Sequence, residues 1–349
     1  MAAQTAFQNL HPKGEIMMKT KTVLLKGLAA IIATGTFLAA PLAAEEVTLR
    51  GVSCFPIGAP PGVPFEKLVT EINEKGKGVV QINLLGGAPA IGSPFQVVER
   101  MAQGAYDIAG CPEAFFGNLI PEAPVLRLQE KTFAELRENG GGDYFQEIAG
   151  KKNVKFVGRH HDDGAFNLFL GEGKAIDKAD LTGLNLRVSP VYTAFFKALG
   201  ATVQRSSMPE VYTLMESGAV DGYGWSVRGI SPSWYPVTKY RVEPGVYRAS
   251  IHTVANLDKW NSLSDEARAI LNDVVIGSET RMEGSGDYAK QLDAETFKML
   301  EEQGIETITL EGAEAEKWVS MARDTAWDEF IEQNPETGPK LKELFTNSQ

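Results

Sequence analysis

The residue best suited to binding chemistry is Arg187, which lies in the apolar, strand-like segment LNLRVS. A guanidinium in such a segment is costly to bury unless an anion pairs with it. Its planar fork matches a carboxylate through two parallel hydrogen bonds. The residue types therefore leave two interpretations open: an internal salt bridge to Asp or Glu, and a binding site for an anionic ligand.

One cluster has the side chains of a metal site, the consecutive residues His160, His161, Asp162 and Asp163. Adjacent residues of a strand point to opposite faces, so the two histidines are poorly placed to share one metal ion. We therefore predict no metal and no cofactor. The cluster is interpreted as a polar connector between domains.

The two cysteines, Cys54 and Cys111, each end a predicted parallel strand. The first and third strands of a doubly wound sheet are usually neighbours, which would bring the two Cα atoms within the roughly 4.4–6.8 Å that a disulfide needs. An exported protein meets an oxidising compartment that permits the bond. A disulfide and two buried thiols are both compatible with the pattern.

Motifs of nucleophilic and phosphate chemistry are missing from the sequence. It has no G-x-S-x-G, no Walker loop and no G-x-G-x-x-G that follows a strand and opens a helix. We therefore predict a protein that is not an enzyme and has no catalytic residues.

The elements that must position these residues alternate between two patterns. Apolar strand-like segments are separated by segments with apolar residues at helical intervals, an order that implies parallel strands. The strand patterns lie at 47–54, 79–85, 106–111, 154–158, 166–170, 185–189, 202–205 and 219–225, and the helix patterns at 64–75, 95–104, 190–199, 209–217, 264–303 and 313–333. In such sheets ligands bind beyond the carboxyl ends of the strands.

The composition is that of a globular protein with an acidic surface. The chain has 349 residues, 34 basic and 45 acidic side chains, a net charge of −11 and 43% apolar residues. About two domains are expected at this length. An acidic chain without a Lys/Arg-rich cluster lacks the electrostatic footprint of a nucleic-acid-binding surface.

The N-terminal segment has the pattern of a secretory signal peptide. Lys19, Lys21 and Lys26 precede an apolar stretch that ends in small residues at Ala44. Its uninterrupted apolar part is about 14 residues, shorter than the ~20 that a membrane span needs, so no membrane anchor is expected. We predict cleavage near Ala44 and a periplasmic location. Residues 1–44 contain four lysines and one glutamate, so residues 45–349 carry a net charge of −14.

The segment 181–225 contains three sequence blocks in a defined order. They resemble the patterns D-L-x-G-x-K-x-R-V, A-x-x-x-x-L-G-A and E-V-Y-x-x-L-x-x-G-x-V-D-G of the DctP-like family, the solute-binding proteins of tripartite ATP-independent periplasmic (TRAP) transporters. The matching residues are Asp180, Leu181, Gly183, Arg187, Val188, Leu199, Gly200, Ala201, Glu210, Val211, Tyr212, Gly218, Val220, Asp221 and Gly222. The segments 94–109, 118–123 and 255–264 also resemble family patterns, so the likeness covers essentially all of the chain after residue 44.

The resemblance implies an α/β fold in which two domains flank a central ligand cleft and a long helix braces both. The expected division is residues 45–163 with about 251–290 in domain I, and residues 164–250 with about 291–349 in domain II. The resemblance also implies a mechanism, in which the cleft closes on a small organic acid anion and delivers it to the membrane permease subunits.

The resemblance assigns Arg187 to the ligand carboxylate. Tyr223 and Trp225 directly follow the third block, where the family usually has ligand contacts, and Trp234 is expected on the same wall. Arg228 is a candidate second cation. The remaining candidates follow strands of the first domain: Phe55, Glu113 and Phe115.

The aromatic candidates favour a monocarboxylate with an apolar or aromatic body, and a hydroxylated sugar acid is the alternative ligand. A sensor subunit that binds the same ligand and signals to a membrane kinase is the alternative role.

Overall fold

The computed structural model describes residues 45–283 and 286–347. The predicted signal peptide lies outside these residues. No helix within the described ranges has the length and apolar character that a membrane span requires.

The strands and helices alternate through most of the described chain. The strands are β1 (Val47–Ser53), β2 (Val80–Gly87), β3 (Ile108–Pro112), β4 (Val154–Asp162), β5 (Phe166–Leu170), β6 (Asn185–Val188), β7 (Thr202–Arg205), β8 (Gly222–Ser226), β9 (Tyr240–Val246), β10 (Ser250–Asn256) and β11 (Glu306–Thr309). The helices are α1 (Val63–Lys75), α2 (Val97–Ala102), α3 (Val125–Leu128), α4 (Phe133–Glu138), α5 (Gly141–Gly150), α6 (Thr193–Ala198), α7 (Val211–Glu216), α8 (Leu257–Asn261), α9 (Asp265–Arg281), α10 (Asp287–Glu302), α11 (Gly312–Gln333) and α12 (Gly338–Phe345).

The strands form two sheets. The first has the order β2-β1-β3-β10-β4 and the second β11-β9-β5-β8-β6-β7. Strand β1 is parallel to β2 and β3, as the sequence pattern predicts, whereas β10 lies antiparallel between β3 and β4. In the second sheet β6 is parallel to β7 and β8, and β5 is antiparallel to β8 and β9.

Two short connectors run side by side between the sheets. Residues 163–165 lead from β4 to β5, and residues 247–249 lead from β9 to β10. The Asp163 N–H donates to the Ala249 carbonyl at 2.7 Å, and the Ala249 N–H donates to the Gly164 carbonyl at 2.9 Å. The predicted polar connector at 160–163 is therefore shorter than expected, since β4 continues through Asp162 and pairs with β10.

Helix α11 packs against both halves of the molecule. Near its start, the Trp318 ring contacts Phe195 of α6 with centroids 4.7 Å apart. Farther along, Trp327 and Phe330 belong to an apolar cluster that includes Phe345 of α12 and the disulfide cysteines. Because one rigid helix contributes to both cores, it braces the two sheets.

The predicted helical tail 264–303 divides into two helices. Ser264 caps α9, where its side chain accepts a hydrogen bond from the Ala267 N–H at 3.2 Å. Helix α9 ends at Arg281, and α10 begins at Asp287 after Gly286, which has an extended backbone.

A disulfide joins Cys54 and Cys111, with Cα atoms 5.1 Å apart. Cys54 directly follows β1 and Cys111 lies in β3. The bond therefore ties together the carboxyl ends of two neighbouring parallel strands, the edge at which open α/β sheets generally bind ligands.

Candidate ligand-binding site

A small cavity lies where loops of the first sheet meet the second sheet and the connectors. The lining residues are Phe55, Pro112, Ala114, Phe115, Asp163, Phe166, Ser189, Val191, Trp225, Ser226, Ala249, Ser250 and Ile251. Its volume is about 40 Å³, room for roughly three water molecules. The walls must therefore separate before an organic acid of more than a few heavy atoms enters.

The wall contributed by the first sheet is aromatic. The Phe55 and Phe115 rings lie 5.4 Å apart, and Phe95 meets Phe115 edge-on at 5.0 Å. Phe55 directly follows Cys54, and Phe115 lies four residues after Cys111. The disulfide thus fixes the two chain segments that carry this wall.

Arg187 lies in β6 with only 2% of its surface exposed. Its Nε donates to the Ser206 hydroxyl at 3.2 Å, one terminal nitrogen donates to the Ser206 carbonyl, and the other donates to the Gly224 carbonyl at 3.4 Å. All three acceptors are uncharged. Burial lowers the pKa of the Arg187 guanidinium to about 10, which leaves it positively charged at neutral pH.

The positive charge of Arg187 has no paired carboxylate within residues 45–283 and 286–347. None of the salt bridges formed there, at N···O distances up to 4.0 Å, includes Arg187. A guanidinium has five N–H groups, so three hydrogen bonds leave two N–H groups for another acceptor. Of the two interpretations left open by the sequence, the internal salt bridge is wrong for the described residues, and the anion site remains.

Arg187 is not among the residues that line the cavity, and Trp225 links it to the lining. The Arg187 guanidinium carbon lies 5.0 Å from the centre of the Trp225 ring, a cation–π contact, and Trp225 itself lines the cavity. The indole N–H donates to the Gly229 carbonyl at 2.7 Å, which holds the ring in place. Trp225 therefore lies in the cavity wall, and its contact with a ligand remains a prediction.

Tyr223 and Trp234 lie behind Trp225, away from the cavity lining. Tyr223 is fully buried, stacks on Phe169 at 5.2 Å, and its hydroxyl bonds to Thr238 at 2.8 Å. Trp234 packs edge-on against both Tyr223 and Trp225 at 5.2 Å. The structure thus makes both residues a support for Trp225, and it does not bring them to the cavity.

The Arg228 side chain takes part in a cluster of ion pairs beside the connectors. Its Nε donates to Asp293 of α10 at 2.9 Å, and a terminal nitrogen donates to the Asp162 carbonyl at 2.8 Å. The buried Asp162 carboxylate also meets the side chains of Arg159 and Arg248. We call Arg159, Asp162, Arg228, Arg248 and Asp293 the hinge cluster. Arg228 lies in this cluster, outside the cavity lining.

Glu113 follows β3 and is completely buried. Its nearest cation is the Arg127 guanidinium at 3.7 Å, and both carboxylate oxygens lack a hydrogen-bond partner among the described residues. Burial raises the pKa of the Glu113 carboxyl to about 7, against the opposing effect of Arg127. Its neighbours in the chain, Pro112 and Ala114, line the cavity, whereas Glu113 itself points elsewhere.

Comparison with known proteins identifies the family. Residues 58–334 match DctP, described as bacterial extracellular solute-binding protein, family 7. This match covers most of the chain. The chain belongs to the DctP family of bacterial extracellular solute-binding proteins. The resemblance found in the sequence is therefore confirmed, and the family is one of receptors, not enzymes.

The chain covers different shares of the length of its relatives. The chain is 25% identical over 270 residues to the C4-dicarboxylate-binding protein DctB of Bacillus subtilis, a match covering 74% of this chain and 75% of that protein. It is 23% identical over 334 residues to a solute-binding protein of Roseobacter denitrificans, a match covering 92% of this chain and 98% of that protein. An uncharacterised protein of Sinorhizobium fredii is 29% identical over 197 residues, 52% of this chain and 36% of that protein.

Solved structures share the fold of this DctP-family chain. A TRAP periplasmic solute-binding protein from Desulfovibrio salexigens with bound orotic acid matches at a TM-score of 0.72 and 20% identity, over 85% of this chain and 97% of that one. DctP7 of Bordetella pertussis, which binds pyroglutamic acid, matches at a TM-score of 0.73 and 16% identity, over 86% of this chain and 99% of that one. A TRAP periplasmic solute-binding protein from Rhodoferax ferrireducens with bound malonate matches at a TM-score of 0.72 and 20% identity, over 85% of this chain and 96% of that one. The predicted fold class is thereby confirmed.

Several cavity residues of this DctP-family protein escaped the sequence reasoning. Asp163 is the first residue of the first connector, and Ser250 directly follows the second connector. Ser189 directly follows β6, and Ser226 is the last residue of β8. The HHDD motif drew attention to Asp163 as a possible metal ligand, but no group of three or more His, Cys, Asp or Glu that could hold a metal occurs in the described ranges. The position of Asp163 after a strand was the signal available in the sequence.

Proposed function

We propose that this protein is the periplasmic receptor of a TRAP transporter and that it binds a small organic monocarboxylate with an apolar or aromatic body. The observation that carries the proposal is Arg187, a buried guanidinium with two free N–H groups and no carboxylate partner in the described chain. A ligand carboxylate supplies the missing anion through a bidentate contact.

The body of the ligand is inferred from the cavity walls. Phe55, Phe115, Phe166, Val191 and Trp225 surround the space with apolar surface. Solute sites are typically apolar with a few polar groups that fix orientation, and this arrangement matches a carboxylate attached to an apolar or aromatic group.

Closure of the cleft is the proposed link between binding and transport. The effective dielectric falls when water leaves the site, so the attraction between Arg187 and the ligand carboxylate strengthens. The closed form then presents the ligand to the membrane permease subunits. The two connectors and helix α11 are where the chain passes between the halves, and we assign the hinge to them.

The alternative ligand is a sugar acid. One structural neighbour, from a Sulfitobacter species, contains bound β-D-galacturonate. Three serines and Asp163 in the lining offer partners for ligand hydroxyls, so sugar acids belong in the same binding screen.

A thermal-shift screen of organic acids tests the proposal. Ligand binding to the folded state raises stability by RT ln(1 + [L]/Kd), several kcal/mol at large excess. Apolar and aromatic monocarboxylates are expected to raise Tm most, and Arg187→Ala is expected to abolish the shift while leaving the protein folded. Binding should also change tryptophan fluorescence through Trp225. Retained calorimetric affinity in Arg187→Ala would contradict the carboxylate role of Arg187.

A further inference from the structure

Asp163 places a carboxylate at the cavity. It opens the first connector, is 4% exposed and belongs to the cavity lining. One carboxylate oxygen lies 2.8 Å from the His161 ring nitrogen, and the other lies 3.4 Å from the Ser226 hydroxyl. Trp225 is close by, because a Cβ at Gly229 would lie 2.9 Å from an Asp163 carboxylate oxygen and 3.1 Å from the Trp225 indole nitrogen.

The charge of Asp163 is weakly compensated. The neighbouring Asp162 forms salt bridges with the three arginines of the hinge cluster. Asp163 forms no salt bridge with Lys or Arg in the described part of the chain. His161 is a charged partner only when its ring is protonated. The described residues that line the cavity include no Lys, Arg or His.

We infer that Asp163 is a specificity-determining residue that excludes dicarboxylates from this cleft. The inference rests on the proposed function, in which Arg187 holds one ligand carboxylate. A second carboxylate in so small a cavity has no cation to meet and lies close to Asp163. Like charges repel strongly where water is excluded, and repulsion of the wrong ligand is a common source of specificity.

The same carboxylate favours ligands that carry a hydrogen-bond donor. An ionised carboxylate accepts hydrogen bonds at both oxygens, and Asp163 has few donors around it. The inferred ligand is therefore a monoanion. A hydroxyl or N–H group of this ligand would be favoured on the side that faces Asp163 and the connector.

A purely structural role for Asp163 makes a different prediction. If Asp163 only holds the connector through His161 and Ser226, its loss weakens binding of every acid by a similar factor. If it selects against dianions, its loss changes the ratio of affinities between a monoacid and the diacid of the same skeleton. The ratio therefore separates the two roles.

The experiment measures calorimetric affinities of matched acid pairs for wild type, Asp163→Asn and Asp163→Glu. The pairs are butanoate with succinate, pentanoate with glutarate and 2-methylbenzoate with phthalate. Wild type is expected to prefer the monoacid, and Asp163→Asn to reduce this preference at least tenfold, about 1.4 kcal/mol. Asp163→Glu keeps the charge and should keep the preference. Asp265→Asn, at a fully exposed residue of α9, is the matched control.

The outcomes distinguish this inference from the proposed function. An unchanged monoacid-to-diacid ratio in folded Asp163→Asn overturns the inference alone. A wild type that binds each diacid as tightly as its monoacid overturns the inference and the proposed preference for monocarboxylates, but not the proposed carboxylate role of Arg187. If Asp163→Asn does not fold, Asp163→Ser provides the same test without charge. A wild type that binds no carboxylic acid in this panel or in the wider screen overturns the proposed function and the inference with it.

Discussion

Two buried arginines show how the same side chain serves different purposes. Arg159 is 1% exposed and meets Asp162 at 3.4 Å and Glu283 at 3.1 Å. Arg187 is 2% exposed and has only uncharged acceptors. The first forms internal ion pairs, and the second has no ion pair in the described residues and is the residue proposed to bind the ligand. This difference depends on residues distant in sequence.

Replacing each arginine with methionine should separate these roles. Arg159→Met leaves the buried Asp162 carboxylate with only Arg228 and Arg248 as charged partners, so the free energy of unfolding should fall by about 1–3 kcal/mol. Arg187→Met removes a buried charge that no protein carboxylate compensates, so the ligand-free protein should be at least as stable as wild type. Chemical denaturation of the ligand-free proteins measures both effects, and a similar loss in the two variants would contradict the assignment of Arg187.

Glu113 gives the molecule a stability that depends on pH. Its folded-state pKa of about 7 lies above the ordinary value of 4.5, so the folded protein holds a proton that the unfolded chain releases between these values. The contribution is fully present below about pH 4.5 and is lost as the pH rises through about 7.

Glu113→Gln should remove this pH dependence. At pH 8 the variant should be more stable than wild type by up to about 3 kcal/mol, since each pKa unit corresponds to about 1.4 kcal/mol, and near pH 5 the difference should be small. The buried His252, whose pKa burial lowers to about 3, acts in the opposite direction but is present in both proteins. Denaturation between pH 5 and 8 checks the prediction, with the exposed Glu138→Gln as control.

Residue-level reasoning from the sequence depends on how much the local context reveals. Arg187 stood out because a cation interrupts an apolar strand. Arg228 and Tyr223 could not be placed, since their partners, Asp293 and Thr238, come from elements whose packing the sequence pattern does not reveal. Contact of any of these residues with a ligand remains a prediction.

At the scale of elements, the parallel β-α-β pattern of the first sheet was predictable and the insertion of β10 was not. All seven residues of β10 are buried, so the strand lacks the alternation that marks a half-exposed strand. It also pairs with β3, more than a hundred residues earlier in the chain. Local periodicity carries no information on a pairing of this kind.

The disulfide is the strongest tie between two elements of the first sheet. It closes a loop with a sequence separation of 57 residues, for which chain entropy predicts a stabilisation of about 4 kcal/mol. Cys54→Ala/Cys111→Ala should lower the free energy of unfolding by about 2–4 kcal/mol. Denaturation with and without reductant measures the effect. Reductant should destabilise wild type and leave the double variant unchanged, and a wild type insensitive to complete reduction would contradict the prediction.

At the scale of the whole molecule, the charge distribution opposes the proposed ligand. Residues 45–349 carry a net charge of −14, whereas the cation proposed to bind the ligand is buried. Long-range repulsion is therefore expected to slow the approach of an anion, and the proposed contact with Arg187 is expected to set its dissociation rate.

The association rate constant of an anionic ligand should consequently rise with ionic strength. The screening length shortens from about 30 Å at 0.01 M salt to about 8 Å at 0.15 M, which removes the repulsion outside the cleft but barely affects a buried ion pair. Stopped-flow tryptophan fluorescence should show faster association at the higher salt concentration and a nearly constant dissociation rate. Repeating the series with chloride and with sulfate controls for competition at Arg187. An association rate that falls in both salts would show that a local positive field steers the ligand, and the net charge would then not govern the encounter.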